Sequence, residues 1–215
     1  MKLTAHISNL ENDLWEPVVG PDINPVDADT YQALNTPAGL VLSMMSTKPW
    51  GGWLAKHVSP LIFAAPRIVF SYTMMIDDAT PPIAEVAETD TKITDDQGWT
   101  YDLSAQWNIA AGWMFQVDNH GWTWTDTGIQ IPPPEPGEDS CFDIEYQINY
   151  EARTSAIVGV TVDEDQFLLD PAFHHVPARQ VGWERNQIVT QLQQVNNARP
   201  GGYSLRFSEI GYRLK

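Results

Sequence analysis

Two carboxylates spaced two residues apart on an extended segment can act on one bond. Asp143 and Glu145, in the run Cys141-Phe142-Asp143-Ile144-Glu145-Tyr146, form such a pair. On a strand, residues i and i+2 face the same way, and their Cα atoms lie about 6.5–7 Å apart. That spacing can suit two carboxyl groups of a retaining glycosidase, which stand about 5–5.5 Å apart. Asp118 and Glu209 are the other acidic candidates for this chemistry. The same alternation is also what a strand with one wetted face presents, so all four stand as catalytic candidates only.

A second pattern suits binding. Sugar rings have apolar faces and hydroxyl edges, so sites for them combine aromatic platforms with amide and carboxylate groups. Gln106 and Asn108 share one strand face, and Gln116 and Asp118 share another. Trp122 and Trp124 follow, on one face of Gly121-Trp122-Thr123-Trp124-Thr125. Trp50 and Trp53 flank two glycines in a segment that reads as a turn, where exposure is expected. Trp107 and Trp113 alternate with other apolar residues and read as core.

Other chemistries find little support. The chain has no Gly-x-Ser-x-Gly elbow, no Walker loop and no Gly-x-Gly-x-x-Gly. His174 and His175 are adjacent, so on a strand their side chains would diverge. No cofactor is expected. Asp77-Asp78 and Asp163-Glu164-Asp165 are acidic turns that either are simply solvated or hold a structural calcium ion through oxygen ligands. The one cysteine, Cys141, excludes an internal disulfide and, with no basic neighbour, reads as a buried, inert thiol.

The elements that must carry these residues are strands. Period-two alternation recurs along the 215 residues, as in Phe142, Ile144, Tyr146, Ile148 and Tyr150 against Asp143, Glu145, Gln147 and Asn149. The best helical signal, near Ala84–Ala87, is short and follows Pro81-Pro82. Ten or more short strands with turns between them indicate a β-sandwich or barrel, here as one domain over residues 1–215. The proline-rich run at 131–138 is the strongest breaker, but similar strands continue on both sides.

Composition sets the outer limits. The net charge is −16, which argues against nucleic acid or an anionic membrane as partner. Apolar residues make up 43% of the chain and charged residues 19%, enough to bury a core. The N-terminus lacks the apolar run of a signal peptide. A leader trimmed beforehand would make the protein extracellular; otherwise it is expected in the cytoplasm.

The C-terminal third carries a resemblance. Asp143-Ile144-Glu145-Tyr146-Gln147-Ile148-Asn149-Tyr150 followed by Val158-Gly159-Val160-Thr161-Val162-Asp163 resembles a hairpin of the concanavalin A-like lectin/glucanase jelly rolls. Gln187–Leu192 and Tyr203–Ile210 resemble the last two strands of that superfamily. The resemblance implies a jelly-roll sandwich of two antiparallel sheets with a concave groove. With the tryptophans, amides and Asp118 lining that groove, the leading expectation is a poly- or oligosaccharide held there without catalysis. The alternatives are a glycoside hydrolase or polysaccharide lyase on the same fold, or a structural domain with no glycan ligand. One glucanase family on this fold carries Glu-x-Asp-x-x-Glu; aligned on Asp143, its glutamate positions are Cys141 and Tyr146 here, so that motif is broken. The Arg-rich and Gln-x-His strands of alginate-type lyases are not found.

Overall fold

The computed structural model describes residues 4–18, 26–118, 123–170 and 176–215. Its strands are β1 (Ala5–Ile7), β2 (Glu16–Val18), β3 (Val26–Asp27), β4 (Thr30–Thr36), β5 (Gly39–Ser46), β6 (Gly51–Pro60), β7 (Arg67–Ile76), β8 (Ala84–Thr94) and β9 (Trp99–Asn108). They continue as β10 (Met114–Asp118), β11 (Trp124–Gln130), β12 (Asp139–Asn149), β13 (Thr154–Val162), β14 (Asp165–Leu168), β15 (Val176–Pro177), β16 (Arg179–Gln180), β17 (Gln187–Asn196) and β18 (Gly201–Leu214). One helical turn, α1 (Thr80–Ile83), precedes β8.

Among the described residues, two nine-stranded sheets pack face to face. The back sheet runs β14-β13-β12-β7-β18-β5-β4, with β1 beside β18 and β15 beside β13; the groove sheet runs β11-β10-β9-β8-β17-β6-β2, with β16 beside β9 and β3 beside β6. These pairings are antiparallel except the short one between β3 and β6. This arrangement is a jelly-roll sandwich. The hairpin expected over 142–162 forms, with Phe142 opposite Val162 and Asn149 opposite Thr154. The two closing strands, β17 and β18, lie in opposite sheets, so the turn between them carries the chain across the sandwich.

Alternation explains the core. On β12, Phe142, Ile144, Tyr146 and Ile148 point inward and are buried. On β9, Tyr101, Leu103, Ala105 and Trp107 do the same from the other sheet. Trp107 packs its ring 5.7 Å from Phe142 across the interior, and Trp113 is buried as expected. Threonine and tyrosine hydroxyls meet inside. Thr91 on β8 lies 3.2 Å from the Tyr146 hydroxyl and 3.1 Å from that of Tyr212, and Thr190 on β17 lies 2.7 Å from Tyr212. These bonds tie the two central strands of the groove sheet to β12 and β18. They hold rigid the strands on which the cleft is built.

The structure departs from the sequence expectation at α1, Trp53 and Cys141. The helix lies on the prolines themselves, not on 84–87. Pro81 and Pro82 occupy the first helical positions, where a missing N–H costs nothing. Ala84 then opens β8, which is paired on both sides, and that pairing overrides a weak local helical preference. Trp53 is fully buried. β6 begins at Gly51, so Trp53 sits within a strand, pointing inward, and its indole N–H donates to Gln194 Oε1 at 2.8 Å. Cys141 is exposed, because it shares the outward parity of Asp143 while Phe142 takes the inward one. A native-state Ellman titration should therefore read one fast-reacting thiol without denaturant; a thiol that reacts only after unfolding would contradict its placement.

Candidate functional site

The outward face of the groove sheet carries polar residues in rows. One row places Asp126 opposite Gln116, then Gln106, Glu88, Gln193 and Leu54 on successive strands. The next row sets Trp124 opposite Asp118, and Ser104, Asp90, Gln191 and Lys56 in line across β9, β8, β17 and β6. A third aligns Asp102, Lys92, Val189 and Val58. Each row exists because even-numbered residues on β8 and β9 face outward while their odd neighbours fill the core.

A cleft of about 400 Å³ opens over the first row. Its lining includes Gln106, Gln116, Asn108, Glu88 and Gln193, with Trp50 and Trp124 among its aromatic residues. The amides form a chain: Gln106 Nε2 donates to Gln116 Oε1, and Gln116 Nε2 donates to Asp126 Oδ1. Trp50 is 46% exposed and holds a left-handed φ of 59°. A bulky side chain rarely adopts that conformation, and such strain collects at functional positions.

The floor is charged and deeply set. Glu88 and Asp90 are each less than 5% exposed, and one oxygen of each, Glu88 Oε1 and Asp90 Oδ1, has no hydrogen-bond partner. Lys92 follows on the same face and reaches Asp102 at 3.1 Å. Burial raises the Glu88 carboxyl well above the usual carboxylate range, and the neighbouring Asp90 raises it further. Burial also pushes Asp90 up to about 6; Lys92 pulls it back, while Asp102 and Asp118 add to the rise. For Lys92, burial works against the ammonium, but Asp90 and Asp102 outweigh it and raise its pKa.

These shifts have a sign in stability. A carboxyl whose pKa rises on folding takes up a proton between its unfolded and folded values, so its penalty is absent at low pH and grows as pH rises through the folded value. For Asp90 the rise from 3.8 to about 6 places the full penalty above pH 7 and removes most of it near pH 4. Asp90→Asn is therefore expected to raise the melting temperature at pH 8 and to leave it nearly unchanged near pH 4. Equal shifts at both pH values would contradict the assignment.

The sequence-derived candidates separate into two groups. Gln106, Asn108, Gln116, Trp50 and Trp124 come together in the cleft. Asp118 lies beside it on β10, close enough to act on Glu88 and Asp90, and accepts the Thr123 N–H at 3.0 Å. Trp53 belongs to the core, and Trp122, His174 and His175 fall outside the described residues. Asp143, Glu145 and Glu209 are on the back sheet, away from the cleft. Asp143 and Glu145 do share a face, but they pair with Arg213 at 2.5 Å and Arg67 at 3.3 Å. Glu209 accepts from Thr73 at 3.0 Å. The structure thus does not bring the four acidic candidates to one place.

In the acidic turns, Asp77 accepts from the Ala79 N–H, the Thr80 hydroxyl and the Ser204 N–H, and Asp163 accepts from the Cys141 N–H. Among the described residues, no group of three or more His, Cys, Asp or Glu is placed to hold a metal ion.

Glu88, Asp90 and Lys92 are the residues that sequence reasoning missed. Their signal is the alternation Glu88-Thr89-Asp90-Thr91-Lys92, in which threonine rather than an aliphatic residue marks the inward face. The Glu-x-Asp half of the glucanase pattern occurs here, on a central groove strand. Its final glutamate position is Ile93, which is buried in the core.

No family model and no curated protein sequence matches this chain. Solved structures do match in fold. An alginate lyase from a Chlorella virus superposes with a TM-score of 0.51 at 9% identity, over 94% of this chain and 93% of that one. Basic winged bean lectin, solved with Tn-antigen, superposes with a TM-score of 0.50 at 8% identity, over 99% of both chains. At these identities the likeness is one of fold: the protein shares the jelly-roll sandwich of the lectins and lyases.

Proposed function

We propose that the protein binds a poly- or oligosaccharide in the cleft of the groove sheet. The observation that carries this reading is the pairing of two partly exposed tryptophans, Trp50 and Trp124, with a floor of amides. Indole faces stack on the apolar faces of sugar rings, and Gln106, Gln116 and Gln193 offer donors and acceptors to hydroxyl edges. Among the described residues, the cleft lining contains Glu85 and Glu88 but no Lys, Arg or His, so a polyanionic glycan is disfavoured. The test is affinity electrophoresis through gels containing neutral, amino-sugar or uronate polysaccharides. Retardation by a neutral or amino-sugar glycan and free passage through alginate is expected. Free passage through every gel, or retardation by alginate alone, would overturn the reading.

A second reading, hydrolysis in the same cleft, is favoured by one observation. Glu88 and Asp90 sit two residues apart on one strand face, both with raised pKa values. A protonated Glu88 is fit to protonate a leaving oxygen, and an ionised Asp90 to act as nucleophile or base. Release of reducing ends from a retained glycan, lost in Glu88→Gln, would establish it.

A further inference from the structure

We infer that the glycan taken by this cleft carries free amino groups, and that an ammonium of the sugar docks on Glu88 between Trp50 and Trp124. The inference rests on the glycan reading of the cleft and narrows it to a chemical class.

Three observations lead to it. Glu88 lines the cleft, is 4% exposed, and its Oε1 has no hydrogen-bond partner among the described residues. A buried carboxyl oxygen left in this state needs a proton or a cation. Among the described residues, the lining supplies no cation, and its other carboxyl, Glu85, adds to the negative potential. The walls include two indoles, whose faces attract an ammonium as well as stack on a sugar ring. A neutral sugar hydroxyl could satisfy Glu88 as acceptor, but it would leave the charge of an ionised carboxylate uncompensated.

The groups around Glu88 set how it titrates. On its own strand are Glu85, Asp90 and Lys92. On β9 are Gln106, Ser104 and Asp102; on β10, Gln116 and Asp118; on β17, Gln191 and Gln193. Carboxylates outnumber the single ammonium, and with burial they hold Glu88 toward its protonated form while the cleft is empty. Docking then exchanges one proton for one cation: the carboxylic acid and the sugar ammonium give a carboxylate–ammonium pair and a proton released to solvent.

The experiment titrates the full chain at pH 6 with three tetrasaccharides: β-1,4-linked glucosamine, its fully N-acetylated form, and cellotetraose. Calorimetry in two buffers of different ionisation enthalpy counts protons. The glucosamine tetramer is expected to bind at least about tenfold more tightly than cellotetraose, as a charge-assisted bond warrants, with net proton release. Because a net charge of −16 attracts any polycation, the decisive quantity is the affinity ratio in Glu88→Gln, which should collapse toward one. Thermal melting checks that this variant is folded; the amide replaces an acid already favoured in its neutral form. A ratio near one in the wild type, or a ratio that survives Glu88→Gln, overturns the amino-sugar inference while leaving the glycan reading in place. No binding of any tetrasaccharide overturns both.

Discussion

Replacing Trp50 and Trp124 together by alanine is expected to weaken glycan binding by at least about 100-fold. Aromatic anchors of this kind contribute about 2 kcal/mol or more each when truncated, and about 1.4 kcal/mol is tenfold in affinity. Folding should change little. Trp50 is nearly half exposed and adopts a left-handed backbone, so its replacement removes little buried area. Trp124 is only partly buried at the start of β11. Isothermal titration with a retained glycan, alongside urea unfolding, separates the two effects. A large loss of stability with affinity unchanged would identify the pair as structural.

Trp53→Ala is expected to do the opposite. This indole is fully buried, stacks 5.5 Å from Tyr31, and donates to Gln194 across the sheet. Truncating a buried tryptophan costs about 3–5 kcal/mol, and Gln194 would also lose an acceptor's partner inside the core. Against a typical total of about 5–15 kcal/mol, the variant should unfold at a markedly lower urea midpoint. Trp53→Phe, which keeps most of the volume but not the hydrogen bond, should fall between. An unfolding free energy within about 0.5 kcal/mol of the wild type would show that Trp53 is not packed as described.

The contrast between these two tryptophans shows what the sequence discloses. Pro49-Trp50-Gly51-Gly52-Trp53 reads as one glycine-rich turn, yet the turn ends at Trp50 and β6 starts at Gly51. The inward position of Trp53 follows from the pairing of β6 with β17, more than a hundred residues away in sequence. Local composition does not carry that information.

Gln106, Asn108 and Gln116 were legible because their strands alternate polar with aromatic residues, so one parity is visibly core and the other is not. Glu88, Asp90 and Lys92 were not. Their inward neighbours are Thr89 and Thr91, and charged residues separated by threonine look like a solvated edge. They are buried because β8 is a central strand, flanked by β9 and β17. Burial there is a property of neighbours rather than of the segment. Asp143 and Glu145 illustrate the converse. Their shared face was read correctly, but which sheet it belongs to depends on topology, and β12 lies in the back sheet beside β7.

The cleft and its charged floor also explain why stability and binding should respond differently to pH. Buried carboxyls on the floor cost stability as they ionise, while the amide and indole contacts do not titrate in that range. Conditions that favour the fold need not be those that favour a charged ligand.

The most direct test of the glycan reading is to observe which tryptophans meet the ligand. The chain has nine tryptophans, and each indole N–H gives a signal in a nitrogen–proton correlation spectrum, assignable by single replacement. Titration with an oligosaccharide of the retained glycan should shift the Trp50 and Trp124 signals saturably, with Trp53, Trp107 and Trp113 still. Shifts confined to the core indoles, or to none, would contradict the placement of the site between Trp50 and Trp124.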